Sequence, residues 1–259
     1  MALAVTCLAA CSALAGSGPH VVVDPGHGGF QEGAMSADGM AEKELSLRIA
    51  QQLKDALEKQ LGSAVSLTRT SDGVLPLSER VAFSNRERAD LFISIHANSM
   101  PTERQRQRID GVETFFLSAE ASGEEARRTA ARENAESSPR GGAPKSADAL
   151  SFILADLARA EAHTDSSRLA YAVQQKLVAV TGATDRGVHQ APLYVLTGVE
   201  APAILVEVGF ISHPLEGKRL QEPEYQKRLA LAIAEGVKSF LEQTSKALDT
   251  ATLTNRSSR

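Results

Sequence analysis

An α/β layered domain with a twisted, mostly parallel central sheet flanked by helices is the fold this sequence predicts, and three observations predict it. Short apolar runs recur along the 259-residue chain, longer segments of helical period lie between them, and no internal repeat replaces that alternation. The composition is compatible with it. With 42% hydrophobic and 23% charged residues, the chain can bury the core of one large domain or of a domain with insertions. A formal net charge of -4 offers no basic footprint for phosphates, so nucleic acid is excluded as a partner.

The elements follow in order. The opening "MALAVTCLAACSALAGSG" is apolar, rich in small residues and too short to span a bilayer as a helix, so residues 1–18 are expected to be an export signal with a short linker. Leu8-Ala9-Ala10-Cys11 resembles a bacterial lipobox, which would attach the chain to a membrane through a lipidated Cys11. Ala13-Leu14-Ala15 offers an A-x-A cleavage site instead, and the usual positive n-region is absent. Cys7 and Cys11 are the only cysteines, so disulfides and thiolate metal sites are excluded from the folded part, and a metal site must be built from His, Asp and Glu.

Strands are predicted over 20–23, 64–68, 91–95, 112–117, 193–196 and 203–206. Between the first two, Leu45, Ile49, Leu53, Leu57 and Leu61 recur every four residues, an amphipathic helix over 42–61 that Gly62 ends. Further helices are predicted over 78–89 and 225–241. The stretch 118–182 breaks the rhythm with a polar helical segment over 124–136, the breaker "SSPRGGAPK", and the helical segments "ADALSFILADLARAE" and "DSSRLAYAVQQKLVAV". It reads as a helical insertion, about 118–165, within a domain covering 19–242, and the polar residues 243–259 are expected to be a frayed tail.

Chemistry is suggested first by "HVVVDPGHGGF", where an apolar strand opens straight into His27 held between glycines. In "LFISIHANS" a second buried strand runs into His96. Ligands gather at the carboxyl ends of strands in α/β sheets, so both imidazoles are expected at one end of the sheet. Glu42 lies three residues before Leu45 and seven before Ile49, on the inward stripe of its helix, whereas Glu44 is rotated outward to pair with Arg48. In "APAILVEVGFISHP", Glu207 interrupts an apolar run, a position that requires a partner or a function. Two imidazoles, one carboxylate and a second carboxylate nearby are the parts of a catalytic zinc hydrolase site. Asp24 is open to two roles, orienting an imidazole or capping a turn. His20, His163, His189 and His213 are read as loop or surface residues, and Arg104, Arg106 and Arg108 as part of a solvated loop.

Over residues 20–241 the chain resembles the zinc-dependent N-acetylmuramoyl-L-alanine amidases of the amidase-3 type. The resemblance is carried by "VVVDPGHGG", "EKELSLRIA", "SERVAFSNRERADLFISIHAN", "GVETFFLS" and "DRGVHQAPLYVLTGVEAPAILVEVGFIS", in that order. It implies that His27, Glu42 and His96 bind Zn2+, that Glu207 is the catalytic carboxylate, and that the substrate is peptidoglycan, cut between N-acetylmuramic acid and L-alanine. It also implies a monomeric enzyme acting in the periplasm. The insertion resembles that of Gram-negative cell-division amidases, where a helix covers the site until an activator protein displaces it. "AARENAES" then offers Glu133 as the residue that fills the open metal position, with a plain surface glutamate as the alternative. A non-catalytic peptidoglycan-binding protein and a zinc carboxypeptidase acting on stem peptides are the competing functions.

Overall fold

A computed structural model of the protein describes residues 18–135 and 160–257. The expected leader with Cys11, the breaker "SSPRGGAPK" and nearly all of "ADALSFILADLARAE" lie outside the described residues. Strands β1 (His20–Pro25), β2 (Ala64–Leu67), β3 (Leu91–Asn98), β4 (Val112–Leu117), β5 (Asp185–Ala191) and β6 (Ala203–Phe210) form one sheet in the order β2-β1-β3-β6-β4-β5. Its pairs are parallel except β4 against β6. That reversal brings the start of β4 to the carboxyl end of β6, where Glu113 lies directly opposite Glu207.

The helices are α1 (Glu42–Leu61), α2 (Leu77–Arg86), α3 (Glu103–Arg106), α4 (Glu124–Asn134), α5 (Ala160–Thr181), α6 (Glu216–Leu220) and α7 (Pro223–Ser257). On one face of the sheet, α1, α5 and α7 enclose a core that includes Leu45, Leu53, Leu57, Leu169, Val173 and Ile233. On the other face, α2, α4 and a 3-10 turn at Tyr194–Leu196 cover Phe92, Phe115 and Leu205. Helix α1 ends as expected, with Gly62 in the left-handed conformation at φ 61°.

Four expectations change. The apolar run 193–196 is the 3-10 turn, while the edge strand is the polar "DRGVHQA" just before it. A short apolar run does not distinguish a strand from a buried turn, and an edge strand with a wet side has no need of apolar residues. The stretch 118–182 is not all insertion, since helix α5 belongs to the layered core from Ser166 on, with Leu169, Ala170, Val173 and Leu177 fully buried. Helix α7 continues from the expected 225–241 through Ser257, across the expected tail, because no glycine or proline interrupts the chain after Leu241. The segment of Arg104 and Arg106 forms α3 in place of a loop, and Arg106 Nε donates to Met100 O at 2.7 Å.

Beneath the first strand lies a buried polar framework. Asp24 is fully buried and neither orients an imidazole nor caps a turn. Arg80 Nη1 lies 2.8 Å from its Oδ1, and Thr68 and Ser94 donate to the carboxylate as well. Arg80 also donates to Pro25 O at 2.6 Å and His27 O at 2.7 Å, while Arg69 donates to Pro25 O at 3.0 Å and Gly26 O at 2.8 Å. Burial works against the Asp24 carboxylate, but Arg80 and the two hydroxyls outweigh it and hold the carboxyl below its usual range. Replacing Arg80 by Met would leave the buried Asp24 charge with only the Thr68 and Ser94 hydroxyls and would remove the Arg80 donors from the Pro25 and His27 carbonyls. The expected loss of stability is about 3–5 kcal/mol, measured by denaturant unfolding.

Candidate metal centre and catalytic carboxylate

The site stands at the carboxyl ends of β1, β3 and β6, where side chains from five segments meet. His27 adopts φ 62°, a left-handed backbone that an L-residue holds only when its surroundings compensate. Here the Arg80 bond to its carbonyl does so. The glycines around it are required by crowding. A Cβ on Gly26 would lie 2.4 Å from His96 Cε1, and one on Gly33, at φ 70°, would lie 2.6 Å from His27 Cδ2 and 2.7 Å from Glu42 Oε2. The histidine between glycines is therefore explained by the close approach of β1 to a second imidazole and a carboxylate.

The two rings are 4.8 Å apart between centroids. Glu42 Oε1 sits between them, 2.8 Å from His27 Nε2 and 3.0 Å from His96 Nδ1. Glu133 enters from α4, its Oε2 2.8 Å from His96 Nδ1 and 3.5 Å from His27 Nε2. One donor atom from each of His27, Glu42, His96 and Glu133 lies within 4.8 Å of all the others, and all four residues are buried. His20, His163, His189 and His213 stand outside this group, in hydrogen bonds or ring contacts of their own.

Glu133 faces the site because of its place on its helix. Ala126, Thr129, Ala130 and Glu133 form a buried stripe at helical spacing, small enough for α4 to lie close to the sheet. Asn134 fastens the end of the helix, donating to Pro192 O at 2.7 Å and accepting from Tyr194 N at 2.8 Å.

Glu207, fully buried within β6, is the register partner of His96 on β3. Arg132 Nη2 is 3.0 Å from its Oε1 and 2.7 Å from Glu133 Oε1, so one guanidinium spans both carboxylates. Among the described residues, Glu207 Oε2 has no hydrogen-bond partner. Burial pushes the Glu207 carboxyl well above the usual carboxylate range, with Glu133 and Glu42 adding to the push against Arg132. Glu42 and Glu133 move the other way, since the attraction of the imidazoles, and for Glu133 also of Arg132, outweighs burial. Likewise the His96 imidazolium is held well above its usual range by Glu133 and Glu42 despite burial.

Reading the sequence missed Arg132, Asn98 and Glu113. Glu113 carried the same signal that selected Glu207, a glutamate inside a buried strand. Burial and the nearby Glu125 raise its carboxyl to about 7. Asn98 donates from Nδ2 to Glu113 Oε1, and Glu113 Oε2 lies 3.4 Å from His189 Nε2.

Comparison with known proteins gives the family of the chain. Residues 21–239 match the model of the Amidase_3 family, N-acetylmuramoyl-L-alanine amidase. The chain is 34% identical over 237 residues to the N-acetylmuramoyl-L-alanine amidase AmiC of Escherichia coli O6:H1, covering 91% of this chain and 54% of AmiC. It is 34% identical over 222 residues to AmiA of Escherichia coli K12, covering 85% of this chain and 75% of AmiA. Among solved structures it is similar to the amidase AmiC2 of Nostoc punctiforme, with a TM-score of 0.65 and 28% identity over 86% of this chain and 97% of that one. The chain thus spans about half the length of the AmiC proteins it matches. Fold, motif order and the extent of the match together place the chain in the N-acetylmuramoyl-L-alanine amidase family.

Proposed function

We propose that this protein hydrolyses the amide bond between N-acetylmuramic acid and L-alanine in peptidoglycan, as a zinc-dependent amidase of the periplasm that α4 keeps closed at rest. One observation carries the reading. His27, Glu42 and His96 bring two imidazole nitrogens and a carboxylate oxygen together in a buried site beside a second carboxylate, Glu207. Nitrogen and oxygen donors in this number and closeness fit Zn2+, which His27, Glu42 and His96 would hold. Bound there, zinc would supply Lewis-acid polarisation of the scissile carbonyl and of water.

The remaining chemistry falls to the chain itself. Glu207 takes a proton from the attacking water and later passes one to the departing nitrogen, a double task suited to a carboxyl whose affinity for protons is raised by burial. At rest neither task is open to it, because Arg132 pairs with it and Glu133 lies against both imidazoles. Opening requires α4 to leave, and an activator protein would bind the displaced helix or the surface it vacates. The family match disfavours a stem-peptide carboxypeptidase. The presence of the donor set together with Glu207 disfavours a binding protein without catalysis.

Three outcomes test this reading. Metal-free protein should take up about one zinc per chain, the number for one three-ligand centre. Because Glu133 and Glu42 strengthen the hold of His96 on a proton that zinc must displace, uptake at neutral pH should release protons, and zinc affinity should weaken as the pH falls. Calorimetry in buffers of different ionisation enthalpy measures that release, and His96→Ala should abolish both uptake and release. Glu133→Ala should raise peptidoglycan hydrolysis without any partner protein, with stem peptides beginning at L-alanine identified by mass spectrometry. Unchanged activity in the folded, zinc-loaded variant would remove Glu133 from the role of plug. In that open background, Glu207→Gln should keep the zinc and lower turnover by roughly a hundredfold or more, the scale of a lost general base.

A further inference from the structure

Arg132 is held by one acceptor on its own helix, Glu133 Oε1, 2.8 Å from its Nε and 2.7 Å from its Nη2, and by three that do not belong to α4. Its Nη1 donates to Asn98 Oδ1 at 2.6 Å and to Ser99 O at 3.2 Å, and its Nη2 donates to Glu207 Oε1 at 3.0 Å. Asn98 and Glu207 are strand residues and Ser99 directly follows β3, so this set of acceptors stays in place when α4 leaves. The Asn98 amide is turned from the sheet side. Its Nδ2 donates to Glu113, the cross-strand partner of Glu207, and to Thr129 Oγ1 of α4 at 3.3 Å, while Oδ1 accepts from Ser99 N at 2.7 Å and keeps its second lone pair for the group in front of it. A cavity of about 260 Å³ reaches this point, lined by Asn98, Ser99 and Arg132 and continuing past Arg106 and Arg128 between α3 and α4. It gives a chain that begins at the acceptors a path outward.

We propose that Asn98 Oδ1, Ser99 O and Glu207 Oε1 form the subsite for the departing amine of the substrate, and that Arg132 occupies it as a stand-in for that amine in the resting protein. The assignment rests on the amidase reading and on the displacement of α4. Hydrolysis forms a C–O bond from water and breaks the C–N bond. The nitrogen leaves with the proton relayed by Glu207, and it ends as an ammonium once the new carboxylic acid has given up its own proton. An α-amino group, with a pKa near about 8, is cationic at neutral pH, so the product carries one positive charge and three N–H donors to these three acceptors. The Arg132 guanidinium matches it in charge and in the three donations made to these acceptors. Glu113 is a positioning residue that acts through Asn98.

The test uses the full chain, zinc-loaded, as Arg132→Ala/Glu133→Ala, with L-Ala-L-Ala amide and its N-acetyl derivative as probes in NMR titrations. The double variant should bind the free-amine peptide at least about tenfold more tightly than the acetylated one, the scale of charge-assisted hydrogen bonds, whereas the wild-type protein should show no such preference. Adding Asn98→Ala should remove the preference and leave the zinc content unchanged. Guanidinium ion at millimolar concentration, below the denaturing range, should displace the free-amine peptide from the double variant, a measurement that does not depend on the Asn98 variant folding. Survival of the preference in a folded Asn98→Ala protein, or no competition by guanidinium, overturns the assignment. A double variant that hydrolyses peptidoglycan faster than wild type yet shows no preference for the amine refutes this subsite alone. One that gains no hydrolysis refutes the covering role of α4 and the subsite with it.

Discussion

Two buried guanidinium groups hold the point from which the rest of the site is built. Where β1 leaves the sheet, the carbonyls of Pro25, Gly26 and His27 turn away from strand partners while still buried, a situation that costs free energy unless donors meet them. Arg69 and Arg80 meet them, and Arg80 also neutralises Asp24 below. With those carbonyls fixed, His27 can keep a left-handed backbone, and the following loop can return the chain so that α1 begins with Glu42 against both imidazoles.

The donor group above this framework brings together charges that would repel in isolation. Glu42, Glu133 and Glu207 are all buried within one small region, and the imidazoles and Arg132 are the cations that make this tolerable. Helix α4 contributes on two fronts through adjacent residues. Glu133, on its buried stripe, meets the imidazoles, and Arg132, beside that stripe, meets Glu207 and Asn98. Its small residues and the Asn134 bonds keep it close enough for both contacts. A helix held chiefly by polar bonds and small side chains, rather than by large apolar ones, is the kind of element that can be exchanged for a partner.

The reversed strand β4 has a consequence at the same end of the sheet. In a wholly parallel sheet the residues beside Glu207 would come from another carboxyl end, but antiparallel pairing brings in Glu113 from the start of β4. A carboxyl raised to about 7 there can accept from the Asn98 amide without adding a full charge next to Glu207 at neutral pH. The polarity of the floor is in this way set by sheet topology.

By itself the sequence determined the alternation of strands and helices, the end of α1 at Gly62, the pairing of Glu44 with Arg48 on the outer side of α1, and the placing of His27, His96 and the inward-facing Glu42 at one end of the sheet. These are local matters, since a period of two or 3.6 residues, a glycine stop, or a charged residue inside an apolar run each leaves its mark within a few positions. Tertiary structure alone decided the rest. That 193–196 is a turn while a polar segment is the strand depends on which strand lies at the sheet edge, and that α5 joins the core depends on the face presented by α7 and β4. Glu133 could be read as a surface glutamate until the docking of α4 placed it against two imidazoles. Arg132, Asn98 and Glu113 gain their meaning only from one another, across separations of 15 to 34 residues that no local pattern spans.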